Sequence, residues 1–167
     1  MFFSLSTGFL AEQHYRFFAQ NDPWYNQRQS GFCVISRGNS NLCDARRLVC
    51  IEDDLELVDI LKIILKHRGY KVTGATTGYE GLETLRRVKP DLVLLDLMMP
   101  DMDGWEVYRQ MKADADLCHI PVIIVTADGQ SLNRFLALKV TKADDFVVKP
   151  FDVHELVQRI EKALKPD

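Results

Sequence analysis

The chain has 167 residues, enough for one domain with a proper core and too few for two ordinary ones. It is 47% hydrophobic and 27% charged, the makeup of a soluble globular protein, and its net charge of −3 argues against a nucleic-acid surface, which would show a basic excess. No apolar run approaches the ~20 residues that span a bilayer, so neither direct DNA binding nor membrane insertion is expected.

Residues 1–46 and 47–167 read as two kinds of sequence. The first stretch carries four arginines against three acids, and the second 17 basic against 21 acidic side chains, so the acidic part is the one to read for chemistry. Residues 1–46 hold nine of the 16 aromatics without a sustained period of 2 or 3.6, and are expected to be a poorly ordered extension or a docking tail. The opening "MFFSLSTGFLAEQ" lacks a basic flank and a clear cleavage site, which makes it a poor signal peptide. Cys33, Cys43, Cys50 and Cys118 form no C-x-x-C pair, so neither a zinc site nor a redox motif is indicated. Cys50 and Cys118 are expected to pack as small apolar residues in a reducing compartment, and the protein to be cytoplasmic.

From Arg47 onward the pattern is regular. "RLVCI" (47–51) predicts a short apolar strand, followed by a helix with Leu57, Ile60, Leu61, Ile64 and Leu65 on its stripe and Gly69 just past its end. "KVTGA" predicts a second strand. Thr77 and Glu80 have the spacing of a capping box, opening a helix with Leu82, Leu85 and Val88 that Pro90 stops. "DLVLLD" predicts the third strand and Trp105–Lys112 the next helix. "PVIIVTA" predicts the fourth strand, Leu132–Val140 the fourth helix and "DFVVK" the fifth strand. Asp152 caps a last helix with Glu155 at its third position and Val153, Leu156, Val157, Ile160 and Leu164 on one face.

Five alternating strand–helix units with short connections predict an α/β fold, a doubly wound five-stranded parallel sheet covered on both faces. In such sheets ligands bind outside the carboxyl ends of the strands. Strand 1 ends in Glu52, Asp53 and Asp54, strand 3 in Asp96, strand 4 in Thr126 and strand 5 in Lys149 and Pro150. One acid closing a strand is ordinary; all of these gathering on one rim is not chance.

Two carboxylates about 4 Å apart repel by roughly 4 kcal/mol at an effective dielectric near 20, so such a rim needs a cation. All-oxygen ligands favour Mg2+, whereas zinc would call for His or Cys. Lys149 adds a second positive charge. A metal, a lysine and a hydroxyl around one carboxylate are the parts for moving a phosphoryl group, with Asp96 as the nucleophile that becomes an acyl phosphate.

With "LVCIEDD" (48–54), "DLVLLDLMMPDMDG" (91–104), "PVIIVTA" (121–127) and "ADDFVVKPF" (143–151) in this order, residues 47–167 resemble a response-regulator receiver domain of two-component signalling, of the single-domain type. The resemblance implies a flavodoxin-like (βα)5 fold with strand order 2-1-3-4-5. It implies that Asp96 accepts the phosphoryl group from a phosphohistidine on a sensor histidine kinase or a histidine phosphotransfer protein. Asp53 and Asp96 would then ligate Mg2+, Glu52 would act through a bound water, and the backbone carbonyl of Met98 would add an oxygen. Thr126 and Lys149 would each hold a phosphoryl oxygen, Phe146 would be the aromatic switch, and the Lys149–Pro150 peptide would be cis. Asp54 would be a neighbour only.

The resemblance further implies a face built from the fourth helix, the fifth strand and the fifth helix that changes shape on phosphorylation, for a downstream target protein or a homodimer. The chain would catalyse its own phosphorylation and dephosphorylation without being an enzyme toward other substrates. Ending just after the fifth helix, it is expected to signal by protein contact or to pass phosphate along a relay. The alternatives are an aspartyl-phosphate hydrolase of small molecules, which would want a second acid where Met98 stands, and a receiver-like interaction module that is never phosphorylated. Lys142 stands where the family commonly has glycine, which leaves the loop before strand 5 open. His67 is expected to complement a helix end, Trp105 to pack, and the other histidines show no metal-ligand spacing.

Overall fold

The computed structural model describes residues 45–127, 129 and 144–165. The expectations for the N-terminal extension and for a helix over 132–140 lie outside the described residues. The elements run β1 (Arg47–Ile51), α1 (Leu55–His67), β2 (Lys71–Ala75), α2 (Gly78–Val88), β3 (Leu92–Leu95), α3 (Gly104–Ala113), β4 (Val122–Thr126), β5 (Asp145–Val148) and α4 (Val153–Ala163). The strands form one sheet in the order β2-β1-β3-β4-β5, and every pair is parallel.

Why the inner strands read as unbroken apolar runs is visible in their alternation. Val49, Ile51, Val93, Leu95, Val122, Ile124 and Phe146 join one core cluster, with Leu82 and Leu85 of α2 and Trp105, Tyr108 and Met111 of α3. The intervening Leu48, Cys50, Leu92, Leu94, Ile123, Val125 and Val147 join the other, with Val58, Leu61 and Leu65 of α1 and Leu156, Val157 and Ile160 of α4. Side chains alternate across a strand, so a strand packed on both faces has no room for polar residues until it ends. Trp105 packs as expected, edge-on to Tyr108 with ring centroids 6.2 Å apart.

The helix ends follow their sequence signals with adjustments. Asp54 is the N-cap of α1 and accepts from the amides of Glu56 and Leu57 at 3.0 and 3.2 Å. Gly69, with φ of +85°, ends that helix in the left-handed conformation, which glycine adopts freely. Ile60 is a correction: it is 44% exposed, and Val58 takes its place beside Leu61 and Leu65. The buried stripe runs through 58, 61 and 65, and a residue one position before Leu61 is rotated out of it. Thr77 caps α2 through the amide of Glu80 at 3.1 Å, but Glu80 reaches back to the amide of Thr76, one residue earlier than a capping box requires. Asp152 caps α4 through the His154 amide, while Glu155 pairs instead with Arg159.

Candidate functional site

The ladder bonds of the sheet continue into the residues that follow each strand. The amide of Glu52 donates to Ala75 O at 3.0 Å, the amide of Asp96 to Ile51 O at 2.9 Å, and the amide of Lys149 to Thr126 O at 2.8 Å. The backbone that carries these side chains is therefore fixed by β1, β2, β3 and β4 together. Gly104 completes the frame. A Cβ at this position would overlap the carbonyl oxygen of Asp96 and the Cα of Leu97, so only glycine lets α3 begin this close to the end of β3.

The structure brings Glu52, Asp53 and Asp96 together, with one carboxylate oxygen from each lying within 4.8 Å of the others. Glu52 and Asp96 are buried and Asp53 is exposed, which leaves the cluster open to solvent on one side. Lys149 reaches in from the end of β5. Its Nζ donates to Glu52 Oε1 and Oε2 at 2.8 and 2.6 Å and to Asp96 Oδ2 at 2.6 Å. Asp96 Oδ1 accepts from the amide of Met98 at 2.9 Å, so both oxygens of this carboxylate are held. Thr126 is fully buried at the end of β4, and Phe146 is 6% exposed on β5, in register with Ile124. Counting along the strands puts both on the sheet face that α2 and α3 cover. The side chain of Met98 is 62% exposed. The Lys149–Pro150 peptide is cis.

The two buried acids respond in opposite directions. Burial pushes the Glu52 carboxyl up to about 7, and the Asp96 charge adds to this against the opposing pull of Lys149. Burial works on Asp96 in the same sense, but the hydrogen bonds from Lys149 and the Met98 amide outweigh it and hold this carboxyl below its usual range. The Lys149 ammonium is raised despite its own burial, because both carboxylates favour its charged form. Asp96 thus carries its charge at neutral pH, and Glu52 holds its proton more tightly than a free carboxyl does.

The donor set fits a hard divalent cation. It consists of carboxylate oxygens without His or Cys, three acids set against one lysine, with Asp53 open to solvent. Asp54, one position further on, caps α1 with its carboxylate.

A buried network at the opposite end of the sheet was not legible in the sequence. Asp144, just before β5, accepts from Tyr108 Oη at 2.9 Å, Lys112 Nζ at 3.1 Å and the amide of Val122 at 2.9 Å. Lys112 also donates to the carbonyls of Cys118 and Ile120 at 3.2 and 2.7 Å. Tyr108 and Lys112 stand four apart on α3, but no spacing signal links them to position 144, where the contact is made by folding alone.

Residues 48–161 match the family model of the response regulator receiver domain. Solved structures agree. The signal receiver domain of a signal transduction histidine kinase from Syntrophus aciditrophicus is 33% identical, with a TM-score of 0.65, covering 72% of this chain and 90% of that one. The response regulator TrrA of Thermotoga maritima, in complex with Mg2+ and BeF, is 28% identical with a TM-score of 0.64, covering 71% and 99%. A CheY-like response regulator receiver domain protein from Methanospirillum hungatei is 27% identical with a TM-score of 0.64, covering 71% and 93%.

Proposed function

Because the chain belongs to the response regulator receiver family, we propose that it is the phospho-acceptor of a two-component system or phosphorelay, with Asp96 as the acceptor. The observation that carries this reading is the ionised, doubly held Asp96 carboxylate beside Glu52, Asp53 and Lys149. A carboxylate oxygen of Asp96 attacks the phosphorus of a phosphohistidine; the phosphorus–nitrogen bond breaks and the imidazole leaves with its electron pair. Asp53, Asp96 and the carbonyl of Met98 would hold Mg2+, with Glu52 acting through water; when bound, the ion neutralises charge on the phosphoryl oxygens. Lys149 gives its ammonium to one phosphoryl oxygen and Thr126 its hydroxyl to another. The protein is a cytoplasmic signalling module rather than an enzyme toward separate substrates. Its donor is a histidine kinase or a histidine phosphotransfer protein.

The readout lies on β5 and its flanks. Movement of Thr126 toward the phosphoryl group leaves room on the sheet face it shares with Phe146, and the ring occupies that room. The altered face around β5 and α4 then binds a downstream protein or a second copy of the chain, as a shift between two existing populations.

Incubation with acetyl phosphate and Mg2+ tests the reading against hydrolysis of small molecules. A stably labelled protein is expected, and catalytic turnover of the donor without labelling would overturn the proposal. Met98, two residues after the acceptor, has no group to orient an attacking water. The labelled form is expected to last on the order of many minutes or longer, and Met98→Asn to shorten it about tenfold. A lifetime of seconds in the unaltered chain would contradict this.

The raised Glu52 carboxyl gives a pH dependence whose sign is fixed. Its folded-state value near 7 lies above its ordinary value of 4.5, so the metal-free fold holds a proton that the unfolded chain releases between those values. Stability is expected to fall as pH rises from about 4.5 to about 7, then to level off. Cation binding competes with that proton. Mg2+ affinity is expected to rise with pH, by up to about tenfold per unit, until it levels off above about 7. Calorimetric titration across this range checks it, and Glu52→Gln is expected to flatten the slope.

A further inference from the structure

The β3–α3 loop, residues 97–103, does more than carry Met98. It is tied at both ends and in the middle. Near its start the Met98 amide holds Asp96 Oδ1 at 2.9 Å. At its end Gly104 N donates to Leu97 O at 3.1 Å, and Asp103 caps α3 through the Trp105 amide at 2.9 Å. In the middle, Asp101 reaches across to a different element: the amide of Gly78, the first residue of α2, donates to its Oδ2 at 3.1 Å, with Oδ1 at 3.4 Å. The side chain of Thr77 already caps α2 through the Glu80 amide. Asp101 therefore supplies a second cap from 23 residues further along the chain, to an amide that has no acceptor within the helix.

Packing at the same point is tight. A Cβ on Gly78 would stand 2.7 Å from Met102 Cβ and 3.0 Å from Val107 Cγ2, so the absence of a side chain there lets the loop and α3 close onto the start of α2. Hydrogen bond and close approach act on one contact. The loop is short, and the backbone of Met98 lies three residues from Asp101, so a displacement at one is felt at the other.

Resting on the reading of Asp96 and Met98 as part of a metal and phosphoryl site, we propose that Asp101 is a positioning residue for that site. By holding the first amide of α2, it fixes the loop in the shape in which Met98 presents its N–H to Asp96 and its carbonyl to a cation. Asp101 touches neither phosphoryl group nor metal. Its effect passes through the backbone of residues 98–101.

The test is a titration with MgCl2 alone of the full-length, 15N-labelled chain, followed at the Met98 amide, with hydrogen exchange of the Gly78 amide read in parallel. Asp101→Ala is expected to speed exchange at Gly78 and to weaken Mg2+ binding by about 2- to 12-fold, the range that one net hydrogen bond spans. Asp101→Asn keeps a carbonyl oxygen for the Gly78 amide and is expected to restore both readouts. Gly78→Ala, which pushes on the contact from the other side, is expected to weaken Mg2+ binding as Asp101→Ala does. If Asp101→Ala frees the Gly78 amide but leaves Mg2+ affinity at the wild-type value, the positioning role is wrong. A wild-type chain whose Met98 resonance ignores Mg2+ sinks the metal reading itself, a result distinct from the first.

Discussion

Asp144→Ala is expected to destabilise the fold by about 3–5 kcal/mol, the cost of removing one partner from a buried ion pair. The side chains of Lys112 and Asp144 are 4% and 0% exposed. Burial holds the Lys112 ammonium below its usual range, and the carboxylate of Asp144 offsets part of that effect. Truncation would take a charged acceptor from the ammonium, and one hydrogen bond each from the Tyr108 hydroxyl and the Val122 amide. Lys112→Met is expected to cost a comparable amount by stranding the carboxylate. Combining it with Asp144→Ala is expected to cost less than the sum of the two single changes, because no uncompensated charge remains. Urea denaturation of the three variants checks this, and a loss below about 1 kcal/mol for Asp144→Ala would contradict the network's role. The network joins α3 to the starts of β4 and β5, at the opposite end of the sheet from Asp96. Phosphoryl uptake per folded molecule is expected to stay unchanged.

The largest effect on chemistry is expected from Lys149→Met. Lys149 bonds both Glu52 and Asp96, and among the described residues it is the cation that the acid cluster contains. Removing it takes a donor from the place where charge develops on the transferring group, a loss on the order of 10²-fold in rate. It also releases Asp96 from the hydrogen bond that opposes its burial, so its carboxyl rises toward protonation and becomes a poorer nucleophile. Initial labelling by acetyl phosphate at saturating Mg2+ measures the rate. A rate within about threefold of the unaltered chain would show that the ammonium takes no part in transfer.

Most of the architecture could be read from residue pattern because the two faces of the sheet are both buried. That forces β1, β3 and β4 into apolar runs, and it forces polar residues to the strand ends, where Glu52, Asp96, Thr126 and Lys149 stand. The site was legible for the same reason as the fold. Ile60 was misplaced because α1 is apolar over more positions than one stripe can bury, and periodicity alone does not choose among neighbouring phases. The bond from Asp101 to Gly78 and the network around Asp144 were invisible for a different reason. Each joins residues far apart in the chain through side-chain geometry, and neither leaves a local spacing signal. Glu52 adds a further lesson: the same acid that closes a strand has a proton affinity set by burial, and burial is read from coordinates, not from order.

Mapping the phosphoryl label decides whether the acid cluster serves Asp96. The chain is incubated with acetyl phosphate and Mg2+, and the intact mass and its peptides are measured beside those of Asp96→Asn. An increase of about 80 Da is expected on the peptide that contains Asp96, and no increase in the variant. A label on another residue, retained when Asp96 is replaced, or no label from acetyl phosphate and none from any histidine kinase of the same organism, would contradict the assignment.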